Sequence, residues 1–212
     1  MTRLAVFDFD STLMDGECID IVLNQIIKSD KQKQELKKLR AKGMRGEVDL
    51  ESSLKQRIAH FNGLSIKELE GICNTLPWTL NAKNTISELK RRDYITICLS
   101  GAFRTATRKV ITDLGVDAYC CNSLESKNEK LTGKISGNLM HHHSKGKILK
   151  MIQSELGISK QNTIAIGDGA NDLSMFEHAD KKVAFCAQTI LAEEANRIIE
   201  TRDLSEVLRF AD

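Results

Sequence analysis

Four aspartates, a lysine and a serine–glycine pair are the residues of this chain best placed to do chemistry. Each follows an apolar run or opens a helical one. Asp8 and Asp10 stand in Asp8-Phe9-Asp10-Ser11-Thr12, and Ser100-Gly101 follows Ile97-Cys98-Leu99. Lys145 lies in Ser144-Lys145-Gly146-Lys147, while Asp168 and Asp172 belong to Gly167-Asp168-Gly169-Ala170-Asn171-Asp172. In open α/β sheets ligands bind beyond the carboxyl ends of the strands, so these residues are expected to converge there. Carboxylates gathered in a dry site repel one another unless a cation neutralises them. An all-oxygen donor set favours Mg²⁺, which keeps several waters and pairs one or two carboxylates with a phosphate oxygen. The alternation in Asp8-Phe9-Asp10 turns both aspartates to one side of the strand end. One can then act as nucleophile while the other handles protons. Ser100 and the amides around Gly101 offer neutral donors to phosphate oxygens, and Lys145 offers a compact positive charge. The set points to phosphoryl transfer through an aspartyl phosphate.

Short buried strands must position these residues. Leu4-Ala5-Val6-Phe7, Tyr94 to Leu99, Thr163-Ile164-Ala165-Ile166 and Val183-Ala184-Phe185-Cys186 are apolar runs bounded by turn-forming residues, as in a parallel sheet. Helical patterns separate them. Ile86, Leu89 and Lys90 precede the second run, and Ile148, Leu149, Ile152 and Leu156 precede the third, closed by Gly157 as a C-terminal stop. The alternation predicts an α/β fold with a Rossmann-like parallel sheet.

Residues 15–77 break the alternation. Ile19, Leu23, Ile26 and Ile27 fall at helical spacing, as do Leu50, Leu54, Ile58 and Phe61. Ser65-Ile66-Lys67-Glu68 is a capping-box signature ahead of Leu69, Ile72 and Leu76. Three or four helices with no strand form an inserted subdomain. Pro77-Trp78, holding the only proline and the only tryptophan, marks the return to the sheet. The expected division is an α/β core over 1–14 and 78–212 with a helical insert over 15–77. Around 118–137, two short segments with Thr132-Gly133 suggest a small β-hairpin projecting from the sheet.

Composition excludes several classes. With 41% hydrophobic and 28% charged residues and a formal charge of +2, the chain reads as a globular protein. It does not read as a nucleic-acid binder acting through bulk charge. No apolar run approaches the roughly 20 residues of a membrane span. No signal-peptide pattern is visible either. A cytoplasmic location is expected, with neither a nucleic-acid nor a membrane partner. The six cysteines contain no C-x-x-C; Cys98 and Cys186 are expected as buried apolar residues, and adjacent Cys120 and Cys121 as structural. The basic run Lys28, Lys31, Lys33, Lys37, Lys38, Arg40, Lys42 and Arg45 is read as a solvated helix face. Consecutive His141, His142 and His143 cannot easily point one way, so no functional metal site is expected of them. Met140 reads as a packing residue.

The ordered motifs D-x-D-S-T, S-G, a lone lysine and G-D-G-x-N-D resemble those of haloacid dehalogenase superfamily phosphatases. Each is weak alone, but four in this order at these spacings are specific. The likeness runs over nearly the whole chain, through Glu17-Cys18-Ile19-Asp20 and Val183 to Ala187, and is strongest to members that hydrolyse O-phospho-L-serine in the last step of serine biosynthesis. The resemblance implies Asp8 as nucleophile and Asp10 as the general acid that later activates water. It implies Mg²⁺ held by Asp8, the Asp10 carbonyl and Asp168, with Asp172 supporting through water. Ser100, Gly101 and Lys145 would bind the phosphoryl group, and Asn171 would lie close to it. The insert would be a cap, with Glu17 and Arg57 recognising the ammonium and carboxylate of the substrate and Met44 leaning over it. A zwitterion does need an acid and a guanidinium fork, although residue patterns alone do not single out Arg57 among the insert's basic residues. Two positions depart from the family: Ala102 replaces the second glycine of S-G-G-F, and Asn81 replaces a glycine where the chain returns to the core. Asn tolerates left-handed geometry, whereas a methyl at 102 could shift the preferred ester, for instance to phosphohomoserine or phosphoethanolamine, or phosphoryl transfer could go to an alcohol. A phospho-acceptor signalling domain shares the strand-end Asp, hydroxyl and Lys but lacks the insert and the second acid of D-x-D. The expected partner is a small phosphomonoester, and the expected assembly a monomer or homodimer.

Overall fold

A computed structural model describes residues 2–211 of the chain. The N-terminal apolar run is buried from Leu4 to Phe7, and its strand β1 (Arg3–Phe7) occupies the middle of the sheet. Helices α1 (Cys18–Ile26), α2 (Asp30–Met44), α3 (Leu50–Ala59) and α4 (Ile66–Cys73) follow without a strand. The chain resumes with α5 (Ala82–Arg91), β2 (Tyr94–Phe103), α6 (Arg104–Thr107), β3 (Ala118–Lys127) and β4 (Lys130–Ser136). Then come α7 (Ser144–Leu156), β5 (Thr163–Gly167), α8 (Leu173–Phe176), β6 (Lys181–Phe185), α9 (Thr189–Ala192) and β7 (Arg197–Ile199). The sheet order is β4-β3-β2-β1-β5-β6-β7, parallel throughout except for the β3–β4 hairpin. This is the expected α/β architecture.

Strand order reverses at β1, which lies between β2 and β5. Phe7 is in register with Cys98 on one side and Ile166 on the other. Asp8 and Asp168 follow the ends of β1 and β5, whereas Ser100, expected just past its strand, lies inside β2, which runs on to Phe103. Register alone brings Asp8, Ser100 and Asp168 to one crevice.

The four-helix segment hangs from two adjacent connections. Met14 and Trp78 form an antiparallel bridge, the Asp15 amide donates to Pro77 O at 2.9 Å, and the Thr79 amide donates to Leu13 O at 3.0 Å. Ser65 caps α4 as its sequence predicts: its hydroxyl accepts from the Glu68 amide at 3.1 Å, and Glu68 Oε2 accepts from the Ser65 amide at 3.0 Å. Phe61 meets Phe103 of β2 edge to face, 5.8 Å between centroids. Asn81 adopts φ +61° and donates through Nδ2 to Asp203, so an Asn fills the left-handed position.

Two expectations change. The segment read as a projecting hairpin is also part of the main sheet: Ala118 to Cys120 pair in parallel with Ile97 to Leu99, and Ser123 to Lys127 turn back against β4. The hairpin does not stand free, since Gly63 and Ile66 of the insert donate to Leu131 O and Glu129 O, each at 2.9 Å. Gly133 permits that contact; at φ +75° a Cβ there would come within 2.8 Å of Ala59 O. Cys186, expected in the fourth apolar run, is not part of β6, which ends at Phe185; it adopts φ +45° and is only half-buried. β7, three residues long, is too short to give a periodic signal. Among the described residues no helix is long and apolar enough to cross a membrane.

Candidate active site

β1 runs straight into a wide turn over Phe9–Leu13. The Asp8 amide donates to Ile166 O at 2.9 Å, tying the strand end to β5, and the Met14 amide closes one wide turn onto Phe9 O at 2.9 Å. Ser11 takes φ +55° inside that turn. Asp8 is buried, and one of its carboxylate oxygens accepts from the Phe9 amide at 2.6 Å. Asp10 accepts from the Cys18 amide at 2.7 Å, so the first residue of α1 fixes its carboxyl.

Lys145 enters from the first turn of α7. Its ammonium donates to Asp8 Oδ1 at 2.5 Å and to Asp172 Oδ1 at 2.6 Å. Asp172 is fully buried and also accepts from the amides of Asp168 at 3.1 Å and Gly169 at 3.2 Å. Gly167 is required for that arrangement, because a Cβ there would lie 2.3 Å from Asp172 Oδ2. On β2, Ser100 Oγ accepts from the Ala102 amide at 3.0 Å, which leaves its own proton for a ligand.

One lysine cannot neutralise three clustered aspartates, two of them buried and the third half-buried. Burial and then Asp172 push the Asp8 carboxyl up to about 7 against the pull of Lys145. Burial and then Glu17 push Asp10 up to about 8. Burial, Asp8 and Asp172 together hold Asp168 well above the carboxylate range. Burial alone would lower Lys145, but Asp172 and Asp8 outweigh it and keep the ammonium charged. Carboxylate oxygens of Asp8, Asp168 and Asp172 all lie within 4.8 Å of one another. A largely buried, all-oxygen cluster short of positive charge fits a hard divalent cation. The Asp10 side chain is not among the three.

The helical insert supplies the opposite wall. Glu17 Oε1 takes the Ser11 hydroxyl at 3.1 Å and also an Arg40 guanidinium nitrogen. Arg57 Nη2 donates to Asp20 Oδ1 at 2.8 Å, and Arg40 Nε lies 3.3 Å from Asp20 Oδ2. Between the walls is a cavity of about 100 Å³. Asp8, Asp10, Ser100, Gly101, Ala102, Lys145, Asp168 and Asn171 line it from the sheet; Glu17, Arg40, Met44, Leu54 and Arg57 line it from the insert. Every residue singled out in the sequence as a site candidate therefore faces one cavity, with Asp172 behind it. The Arg57 Nε and Asn171 Oδ1 atoms are buried without a protein partner.

Two residues of this wall were not expected. Arg40 belongs to the basic run read as solvated, yet it turns inward; Asp20 is buried beside it. The spacing of Leu36, Arg40, Gly43 and Met44 places them on one face of α2. Leu36 and Gly43 are buried, so that face was the available signal. His141 lines the rim of the cavity, 3.5 Å from Glu51. Among the described residues none of the three histidines joins a metal-capable cluster.

Strand-end carboxylates on a Rossmann-like sheet, roofed by a helical insert, define a hydrolase class. A model of the haloacid dehalogenase-like hydrolases matches residues 2–180. The chain belongs to that family. It is 47% identical over 206 residues to the phosphoserine phosphatase of Wolinella succinogenes, covering 97% of this chain and 98% of the relative. It is 40% identical over 208 residues to that of Methanocaldococcus jannaschii, covering 98% and 97%. A solved phospho-aspartyl intermediate analogue of a phosphoserine phosphatase matches with a TM-score of 0.92 and 40% identity, over 99% of this chain and 98% of that one. A substrate-bound phosphoserine phosphatase complex matches with a TM-score of 0.92 and 39% identity, over 99% and 98%.

Proposed function

We propose that this chain is a Mg²⁺-dependent phosphatase that hydrolyses O-phospho-L-serine to L-serine and phosphate through an aspartyl phosphate. The observation that carries this reading is the pairing of the two walls across one small cavity. One wall offers a carboxylate, a second carboxyl, a hydroxyl and an ammonium; the other offers an acid and a guanidinium for a zwitterion. In this reading residues 15–77 form a cap over a core of 1–14 and 78–212. The enzyme acts in the cytoplasm as a monomer or homodimer.

The Asp8 carboxylate attacks phosphorus, forming the acyl phosphate as the bond to the serine oxygen breaks. Asp10, held up to about 8 and so protonated near neutrality, gives its proton to that oxygen. Serine leaves, and Asp10 is now a carboxylate. It removes a proton from water, which attacks phosphorus and releases phosphate, regenerating Asp8 and the protonated Asp10. Ser100, the Gly101 amide and Lys145 hold the phosphoryl oxygens throughout, with Asn171 beside them. Asp8, the Asp10 carbonyl and Asp168 would hold Mg²⁺, with Asp172 supporting through water. Its charge would favour ionised Asp8 and offset the negative phosphoryl oxygens. Glu17 takes the substrate ammonium and Arg57 its carboxylate.

The test is kcat/KM, with and without Mg²⁺, for phosphoserine, O-phosphoethanolamine (no carboxylate) and 3-(phosphonooxy)propanoate (no ammonium). Phosphoserine should exceed both by roughly tenfold or more, the worth of one charge-assisted contact. No preference would remove phosphoserine as substrate, and no phosphate release from any ester would remove the phosphatase.

A further inference from the structure

The insert-side wall carries more charge than a phosphoserine needs. One acid and one guanidinium suffice for an ammonium and a carboxylate, yet four charged residues stand there in alternating order: Glu17, Arg40, Asp20, Arg57. They come from three helices, since Asp20 is on α1, Arg40 on α2 and Arg57 on α3, with Glu17 just ahead of α1. Their side chains are 25%, 32%, 9% and 7% exposed in that order, too enclosed for the pairs to be written off as solvent-screened.

The way the contacts are shared gives Arg40 a distinct place. Both protein contacts to Glu17, from the Ser11 hydroxyl and from Arg40, fall on Oε1. Oε2 carries none among the described residues. The same guanidinium brings its Nε to 3.3 Å from Asp20 Oδ2, an ion pair outside hydrogen-bonding geometry, and Asp20 in turn holds Arg57 by Nη2 at 2.8 Å. Arg57 Nε is left buried and unpartnered on the cavity wall. A lysine could not span Glu17 and Asp20 in this way, because it is a point charge where a planar fork is required. Arg40 also supplies positive charge to a corner where three carboxyl groups, Asp10, Glu17 and Asp20, would otherwise face one another.

We propose that Arg40 is a positioning residue for the amino-acid end of the substrate: it holds Glu17 by one oxygen so that the other meets the ammonium, and through Asp20 it sets the guanidinium that Arg57 offers the carboxylate. The inference rests on the phosphoserine reading above. Removing Arg40 loosens both recognition groups while leaving the strand-end residues untouched. The loss therefore falls on KM more than on kcat.

The experiment measures kcat and KM of wild type, Arg40→Ala and Arg40→Lys on phosphoserine, O-phosphoethanolamine and 3-(phosphonooxy)propanoate. Ratios between esters within one variant cancel any difference in folded fraction. For Arg40→Ala, kcat/KM should fall most on phosphoserine, roughly 10- to 100-fold and mostly through KM, and clearly less on each analogue, which keeps only one of the two recognised groups. Arg40→Lys should recover part of that loss. Equal losses on all three esters would overturn the inference and make Arg40 a fold-holding residue only. A lower KM for phosphoserine in Arg40→Ala would also overturn it, since Arg40 would then compete with the ammonium for Glu17. Failure of the underlying reading is visible beforehand, in a wild type that does not prefer phosphoserine to its deaminated analogue.

Discussion

The two walls of the cavity are built on opposite electrostatic plans. The sheet side gathers Asp8, Asp10, Asp168 and Asp172 around one lysine, and burial drives the carboxyl groups upward. The insert side balances two acids against two guanidinium groups. An unbalanced cluster stores the demand for a cation and a phosphoryl group, which is what chemistry at phosphorus requires. A balanced network instead presents fixed charges of both signs, which is what recognition of a zwitterion requires. If that contrast is correct, substitutions on the sheet side should slow turnover of every ester, and substitutions on the insert side should change which ester is preferred.

The largest effect belongs to the nucleophile. Asp8→Asn removes the only atom proposed to form the covalent bond, and uncatalysed phosphomonoester hydrolysis is so slow that enzymes supply factors of up to ~10²¹. Activity should fall to background on all esters. Asp10→Asn comes next: loss of general acid–base help costs ~10²–10⁴-fold. Pre-steady-state phosphorylation by an aryl phosphate, whose leaving group needs little protonation, should suffer less than phosphorylation by phosphoserine. Equal losses would remove Asp10 as the proton donor. Arg57→Ala should cost roughly 10- to 150-fold on phosphoserine and much less on O-phosphoethanolamine. If both fall together, the insert wall is structural and the contrast fails.

The smallest effect is thermodynamic. Asp8 at about 7 and Asp10 at about 8 hold protons in the folded state that the unfolded chain releases near 3.8. The unfolded state thus binds fewer protons between about pH 4 and about pH 8, so stability of the metal-free protein falls as pH rises through that window. Protons compete with the cation for the same oxygens, so Mg²⁺ should raise the melting temperature more at about pH 8 than at about pH 5.5, by a few degrees. The pH-dependent part should shrink in Asp8→Asn. An equal gain at both pH values would contradict the cation's placement on these carboxylates.

The two walls also differ in how much of them can be read from sequence. Sheet-side residues sit within a few positions of strand ends, and a parallel sheet with β1 in its centre converts those local motifs into one cluster through register alone. Asp8, Asp10, Ser100 and Asp168 were readable for that reason, and Lys145 because it opens the helix that leads to β5. Glu17 and Arg57 were placed only by resemblance to a family. Arg40 and Asp20 were missed, because a guanidinium among eight basic residues carries no local mark of turning inward. Its orientation depends on α2 packing against α3, with Ser53 donating to Leu39 O at 3.0 Å beside it. The double use of β3 was hidden likewise, since Ala118, Tyr119 and Cys120 are half-exposed or exposed and give no strong apolar run.

The most direct test of the whole account is to trap the covalent intermediate. The enzyme is mixed with phosphoserine and Mg²⁺, quenched in acid within a turnover, digested and examined by mass spectrometry. The account predicts one phosphoryl group on the peptide carrying Asp8, labile to base and absent from Asp8→Asn. A phosphoryl group on Ser100 or Ser11, or none in an enzyme that is turning over, would contradict it.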